Sequence, residues 1–286
     1  MNIRSYMMKK ISFLLIVLMS GASLFAGGQE ESGGSLRLSM GGSTTVEPII
    51  TSAMEVFLDE IDPSAELSYD APGSTAGIRG VLNGVYDLGT ASRALLINET
   101  EQGAQLTNIA LDGLAILVND TVPIDDISIP DLAGIFVGEI RNWSVLGGPD
   151  KKIVVVNRDE ASGTLGAFEE MILERVYGDD ARFLRDALVT ESNGNMATMV
   201  AQTPYSIGYG SLAVIERIEG SGGKAITVEG IEDTAENVLT GKYPIIRPLS
   251  FVTYGEPEAD AKVFIDFMLS PRGQEVVAEA KYVPIK

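Results

Sequence analysis

Ile153-Val154-Val155-Val156-Asn157-Arg158-Asp159-Glu160-Ala161-Ser162-Gly163-Thr164 passes from an apolar run into a polar loop. The run predicts a buried strand. Leu165, Phe168, Ile172 and Val176, just beyond, predict an amphipathic helix with Ser162 as its N-cap. The first N–H groups of a helix lack intrahelical partners and carry partial positive charge, so they attract anions. Gly163 leaves its backbone N–H open to approach, and the hydroxyls of Ser162 and Thr164 flank it. Arg158 adds a planar cationic fork, which Asp159 or Glu160 could hold in place. Two readings stand at this point: an oxyanion pocket, and an ordinary capped helix that uses the same residues.

Working outward, the same pattern recurs upstream. Residues 36–40 read as a strand, and Gly41-Gly42-Ser43-Thr44-Thr45 as a loop of small hydroxyl residues. Val46, Ile49, Ile50, Ala53, Met54, Phe57, Leu58 and Ile61 then make one apolar helix face, with Pro48 in the first turn. A strand at 66–70 leads into a small-residue loop at 71–77 containing Ser74, and Ile78, Val81 and Leu82 face a short helix ending at Asn83-Gly84. Residues 87–93 form a strand running into a loop that carries Ser92 and Arg93. Further on, Ser192-Asn193-Gly194-Asn195 precedes a helix at 196–202, a fourth donor-loop candidate. Open α/β sheets bind ligands at the carboxyl ends of their strands, so repeated loops of one chemistry point to a single ligand.

The remaining chain keeps alternating. Residues 114–118 read as a strand, and Ser128-Ile129-Pro130-Asp131 starts a helix to about Val137. Trp143, the only tryptophan, is assigned to packing, and Phe183, Leu184 and Leu188 to a helix face. Residues 207–210 and 249–254 are strands, the latter the last. Two helices close the chain: Val263, Phe264, Phe267 and Met268 mark one, and Ser270-Pro271 caps the other. Ser221 and Lys224 have hydrolase-motif spacing but lack the helix that motif needs, and Ile218 breaks a P-loop match. The fold class is therefore α/β.

Composition excludes more than any motif asserts. The 286 residues include no cysteine and no histidine. Disulfides, thiolate metal sites, cysteine nucleophiles, cysteine-linked lipid anchors, histidine triads and histidine zinc sites are all ruled out. Arg4, Lys9 and Lys10, the apolar run from Ile11 to Met19, and the small residues up to Ala26 form a secretory signal pattern. Residues 1–26 are thus expected to be cleaved, with an uncleaved anchor as the alternative, and 27–35 form a polar leader. The formal charge of −19 becomes −22 without the three basic residues of the signal. That acidity opposes nucleic acid and anionic membrane as partners. Distant charge is screened over roughly 8 Å in physiological salt, so donors touching a small anion can still prevail.

With these loops in view, the chain resembles the phosphate-binding proteins of ABC-type phosphate importers, in their compact form. The resemblance rests on residues 42–48, 73–78, 87–93, 140–143, 156–164 and 207–209, in that order. It implies a two-lobed type II periplasmic-binding-protein fold, each lobe a mixed sheet flanked by helices, with the ligand in the cleft between. Residues 36–112 with 248–286 would form one lobe and 113–247 the other. Ser43, Thr44, Thr45 and Ser74 would then donate from the first lobe, and Arg158, Ser162, Gly163 and Thr164 from the second. Asp159 would pair with Arg158. The resemblance further implies a periplasmic monomer without metal or cofactor that passes phosphate to permease subunits.

Ser92 departs from the pattern, because larger members carry there an aspartate that accepts the proton of bound hydrogen phosphate. An ionised carboxylate accepts from a protonated oxyanion and repels a fully deprotonated one, whereas a serine hydroxyl can donate to either. Arg93 would bring a second cation near. Sulfate, molybdate or tungstate receptors, or a phosphate sensor without a transporter, are the competing binding roles. A phosphatase or esterase using Ser162 is the competing enzyme, and it lacks a histidine, cysteine or lysine base.

Overall fold

The computed structural model describes residues 35–285. The signal segment 1–26 and the leader 27–35, Ser35 aside, lie outside the described residues. Alternating burial sets β1 (Arg37–Gly42), which buries Leu38 and Met40 and exposes Arg37. The helix Glu47–Glu60 follows, burying Ile49, Ile50, Ala53 and Phe57 on one face. β2 (Glu66–Asp70) pairs parallel with one side of β1, and β3 (Leu88–Ala91) with the other. The helix between them spans Ser74–Leu82 and starts four residues earlier than the loop pattern predicts. Gly73, at φ 100°, makes the turn into it. Gly77 is needed for packing, since a Cβ there would lie 2.5 Å from the Gly42 Cα.

The chain continues through β4 (Ala104–Asn119), β5 (Asp126–Ile127), β6 (Val154–Arg158), β7 (Leu188–Thr190) and β8 (Ser206–Ser211). β9 (Gly223–Val228), β10 (Ile246–Tyr254) and β11 (Val283–Pro284) complete the strands. One mixed sheet results, in the order β2-β1-β3-β10-β4-β8-β6-β7, with β9 and β11 also paired to β4. β4 is 16 residues long, far beyond the expected 114–118. Its first part runs antiparallel to β10, and its last part antiparallel to β8 and β9.

Two large apolar clusters share β4 and β10. One joins Leu38, Ile49, Phe57, Ile109 and Ala110 to Leu249, Phe264 and Val277. The other gathers Leu114, Ile116, Phe136, Trp143, Val155, Phe168, Tyr209 and Ile245. Trp143 is fully buried with its indole N–H on the Tyr205 carbonyl, in keeping with a packing role. Among the described residues no helix is long and apolar enough to cross a membrane.

Two expectations fail for identifiable reasons. Residues 181–187 are not helical. Gly178, at φ 77°, ends the preceding helix, and the apolar side chains reach the core from irregular chain, the Leu184 N–H bonding the Phe136 carbonyl at 2.8 Å. Residues 249–254 are not the last strand, because β11 follows and pairs with β4.

Caps read in the sequence are in place. The Ser128 hydroxyl accepts from the Asp131 N–H at 3.2 Å, starting the helix Ile129–Val137, and Gly138 ends it at φ 88°. Ser128→Ala is expected to lower stability by about 1 kcal/mol, seen as a lower urea midpoint at unchanged slope.

Candidate functional site

β6 delivers Arg158 into the interior, where it is only 3% exposed. The ring of Tyr209, stacked on Phe168 at 4.0 Å, holds the strand end by donating its hydroxyl to the Asn157 side chain. Arg158 Nε donates to the Thr190 carbonyl at 3.2 Å, and Nη2 to the Glu191 carbonyl at 2.9 Å and Thr44 Oγ1 at 3.3 Å. Its Nη1 is buried with no hydrogen-bond partner among the described residues. Burial pushes the guanidinium below its ordinary value, opposed by Tyr209 and Asp159, and it remains a cation.

After Arg158 the chain turns through Asp159 to Ser162, whose hydroxyl accepts from the Leu165 N–H at 3.2 Å and caps the helix Gly163–Phe168. Gly163 then meets the loops of the other cluster. A Cβ on it would fall 2.1 Å from Ser74 Oγ and 2.8 Å from Ser92 Oγ. A direct backbone bond crosses the same contact, from the Thr75 N–H to the Ala161 carbonyl at 3.1 Å.

Backbone N–H groups and the two arginines engage several hydroxyl oxygens here. Ser43 Oγ accepts from the Thr45 N–H at 3.1 Å and donates to Ser92 Oγ at 3.0 Å. Ser74 Oγ accepts from the Ser92 N–H at 3.1 Å. Thr44 Oγ1 accepts from Arg158 and from the Asn193 N–H at 3.3 Å. Thr164 Oγ1 accepts from Arg247 Nη1 at 2.9 Å and lies 3.0 Å from Thr45 Oγ1. An oxygen engaged by an N–H still has its own proton to give, so each of these hydroxyls keeps the capacity to donate. Ser92 Oγ differs, since its contacts are other hydroxyls, Ser43 and Ser74. Tyr282 donates to the Thr45 carbonyl at 2.6 Å and anchors that loop from the far end of the chain.

The fold thus gathers Ser43, Thr44, Thr45, Ser74, Ser92, Arg158, Ser162, Gly163 and Thr164 in one buried region. One expected partner sits differently, and a second has its charge paired. Asp159 does not clasp Arg158; its carboxylate accepts from the Ala161 N–H at 2.8 Å, and backbone carbonyls hold the arginine instead. The turn geometry puts the carboxylate over its own loop. Arg93 forks onto Glu99 with two 2.8 Å bonds and reaches Thr75 at 3.3 Å, so its charge is spent beside the hydroxyl cluster. Against the opposing effect of burial, Arg93 and the Leu96 N–H hold the Glu99 carboxyl below its ordinary value. The Ser192 loop does contribute, through the Asn193 N–H on Thr44.

Sequence reasoning missed Arg247. It is 2% exposed and reaches the cluster from β10, paired with the fully buried Asp112 of β4. The available signal was a lone arginine in Ile245-Ile246-Arg247-Pro248-Leu249 and a lone aspartate in Ile109-Ala110-Leu111-Asp112. Two opposite charges in two apolar strands must pair if both strands are buried.

Among the described residues no three Asp or Glu side chains cluster so as to hold a metal ion. What the residues supply is a dense set of neutral donors around two guanidinium groups, suited to binding an anion with many acceptor oxygens.

A sequence model of the PBP superfamily domain matches residues 27–272. The phosphate-binding protein PstS of Borreliella burgdorferi is 35% identical over 282 residues, 98% of this chain and 100% of that protein. PstS of Bacillus subtilis is 30% identical over 97% of this chain and 95% of its own length. Among solved structures, a putative phosphate ABC transporter substrate-binding protein with bound phosphate, from Clostridium perfringens, superposes with a TM-score of 0.80. It is 33% identical, covering 87% of this chain and 100% of that one. The mixed α/β sheet described above is the type II periplasmic-binding architecture these proteins share. Matched over nearly the whole of both lengths, the chain belongs to the phosphate-binding protein family of the PBP superfamily.

Proposed function

We propose that this protein captures inorganic phosphate in the hydroxyl–guanidinium pocket and delivers it to the permease subunits of an ABC-type importer outside the cytoplasmic membrane. The observation carrying this reading is Arg158 Nη1, a buried cationic donor with no partner among the described residues, on a side chain whose Nη2 reaches the Thr44 hydroxyl. A buried donor left unsatisfied costs roughly 1–3 kcal/mol, and more when charged, so such a group favours a site that an anion completes. Residues 36–112 with 248–286 act as one lobe and 113–247 as the other, closing about the two crossovers in β4 and β10. The signal-like residues 1–26 support export, and the protein works as a monomer.

The role is binding, not catalysis. Ser162 is spent as a cap, Asp112 is committed to Arg247, Ser211 and Leu212, and the chain has no histidine or cysteine to activate a nucleophile. Purified protein is expected to bind phosphate saturably by calorimetry without added metal; no signal at micromolar protein would sink the reading. Ser92 makes sulfate the informative competitor. Since Ser92 is a hydroxyl where a carboxylate would repel sulfate, a large excess of sulfate is expected to raise the apparent phosphate Kd measurably. Complete indifference to sulfate would show that another group accepts the phosphate proton.

A further inference from the structure

Arg247 stands directly opposite Asp112 where β4 and β10 pass from one apolar cluster to the other. On β4, Ile109 and Ala110 belong to the first cluster and Leu114 and Ile116 to the second. On the partner strand, Leu249 belongs to the first and Ile245, just before the strand, to the second. The pair is sealed from solvent, and both edges of the guanidinium are used. Nε and Nη2 donate to Asp112 Oδ2 at 3.0 and 2.8 Å, while Ser211 Oγ and the Leu212 N–H satisfy the other carboxylate oxygen at 2.7 and 3.2 Å. Nη1 points away from Asp112. It bridges the Ser92 carbonyl at 3.2 Å and Thr164 Oγ1 at 2.9 Å, one group from each side of the pocket.

A counter-ion for Asp112 would need only the first of these edges. Resting on the reading of the pocket as a phosphate site, we propose that Arg247 is a positioning residue that ties pocket closure to the crossover strands. Its cation is neutralised locally by Asp112, so it contributes direction more than net charge. By donating to Thr164 it occupies one lone pair of that hydroxyl and leaves its proton to give, and by holding the Ser92 carbonyl it keeps the two sides together. Parting the sides breaks one or both Nη1 bonds while the Asp112 edge stays in place.

The test is a double-mutant cycle read with inorganic phosphate, measuring affinity and dissociation rate in wild type, Arg247→Lys, Thr164→Val and the combination. Lysine keeps the charge against Asp112, but its single ammonium cannot also make the bridge. Arg247→Lys is expected to weaken binding about 10-fold, mostly through faster release. In the Thr164→Val background the same change is expected to cost less than about threefold, because the bond it acts through is already gone. Affinity within threefold of wild type for Arg247→Lys, or an equal cost in both backgrounds, would make Arg247 a plain counter-ion. Should Arg247→Lys fail to melt cooperatively, Asp112→Asn with Arg247→Gln removes both charges at once and carries the same expected loss. Wild type that takes no phosphate overturns the pocket reading itself; wild type that binds, with variants that match it, overturns only the role of Arg247.

Discussion

Arg158→Ala is expected to weaken phosphate binding by more than ~2 kcal/mol, about 30-fold in Kd. The size follows from what the side chain does in the pocket. It is 3% exposed, and backbone carbonyls already hold Nε and one edge of Nη2, so the fork is set before any anion arrives. Little conformational entropy remains to be lost on binding, and the free Nη1 can give a charge-assisted hydrogen bond in a desolvated site. Arg158→Lys separates charge from geometry. A single ammonium cannot hold the Thr190 and Glu191 carbonyls and also donate inward, so it should recover only part of the loss. Calorimetric titration of the two variants beside wild type decides the matter, and an unchanged Kd for Arg158→Ala would mean that Nη1 does not meet the anion.

A larger effect is expected at a residue with no side chain. In Gly163→Ala the added carbon would lie 2.1 Å from Ser74 Oγ and 2.7 Å from Ser74 Cβ. Carbon atoms pack at about 3.5–4.0 Å, so this contact cannot be absorbed in place. Rotating Ser74 moves its oxygen but leaves its Cβ where it is, and the oxygen is held by the Ser92 N–H. The segments bearing Ser74 and Gly163 must therefore part, at a contact that the Thr75 N–H to Ala161 carbonyl bond also spans. Overpacking of this kind costs roughly 1–3 kcal/mol. Because closure is what it opposes, phosphate affinity should fall by about 100-fold, near the top of that range. Calorimetry reads the affinity, and small-angle scattering reads whether phosphate still contracts the molecule. Wild-type affinity in this variant would show that the contact is not needed for binding.

That these hydroxyl loops come together was legible in the sequence, and the reason is local. Ser43, Ser74 and Ser162 sit in strand–loop–helix units whose patterning needs only short-range physics, and Ser128, Ser162 and Ser270 cap helices where their spacing says they should. What escaped depends on long-range partners. The full length of β4 was hidden because residues 104–113 pair with a strand more than a hundred residues away. Arg247 was hidden for the same reason, its role set wholly by Asp112, Ser92 and Thr164. Asp159 was misplaced because sequence adjacency to a cation does not say which way a side chain turns. The apolar spacing of Phe183, Leu184 and Leu188 mimicked a helix, yet Phe183 and Leu184 pack on the core from irregular chain and Leu188 is an exposed residue of β7.

The bond from Tyr282 to the Thr45 carbonyl bears on the order in which the molecule can be built. The loop carrying Ser43, Thr44 and Thr45 leaves the ribosome early, but its anchor lies almost at the end of the chain. The same is true of the apolar cluster beneath it, which joins Leu38 and Phe57 to Leu249, Phe264 and Val277. Closing so long a loop costs entropy before any contact rewards it, and during synthesis it cannot begin until the partners exist. The middle of the chain has most of its own cluster and can settle first. The half of the pocket that is translated first is thus the half that is locked last, and a chain stopped short of Tyr282 would carry those hydroxyls without the frame that aims them.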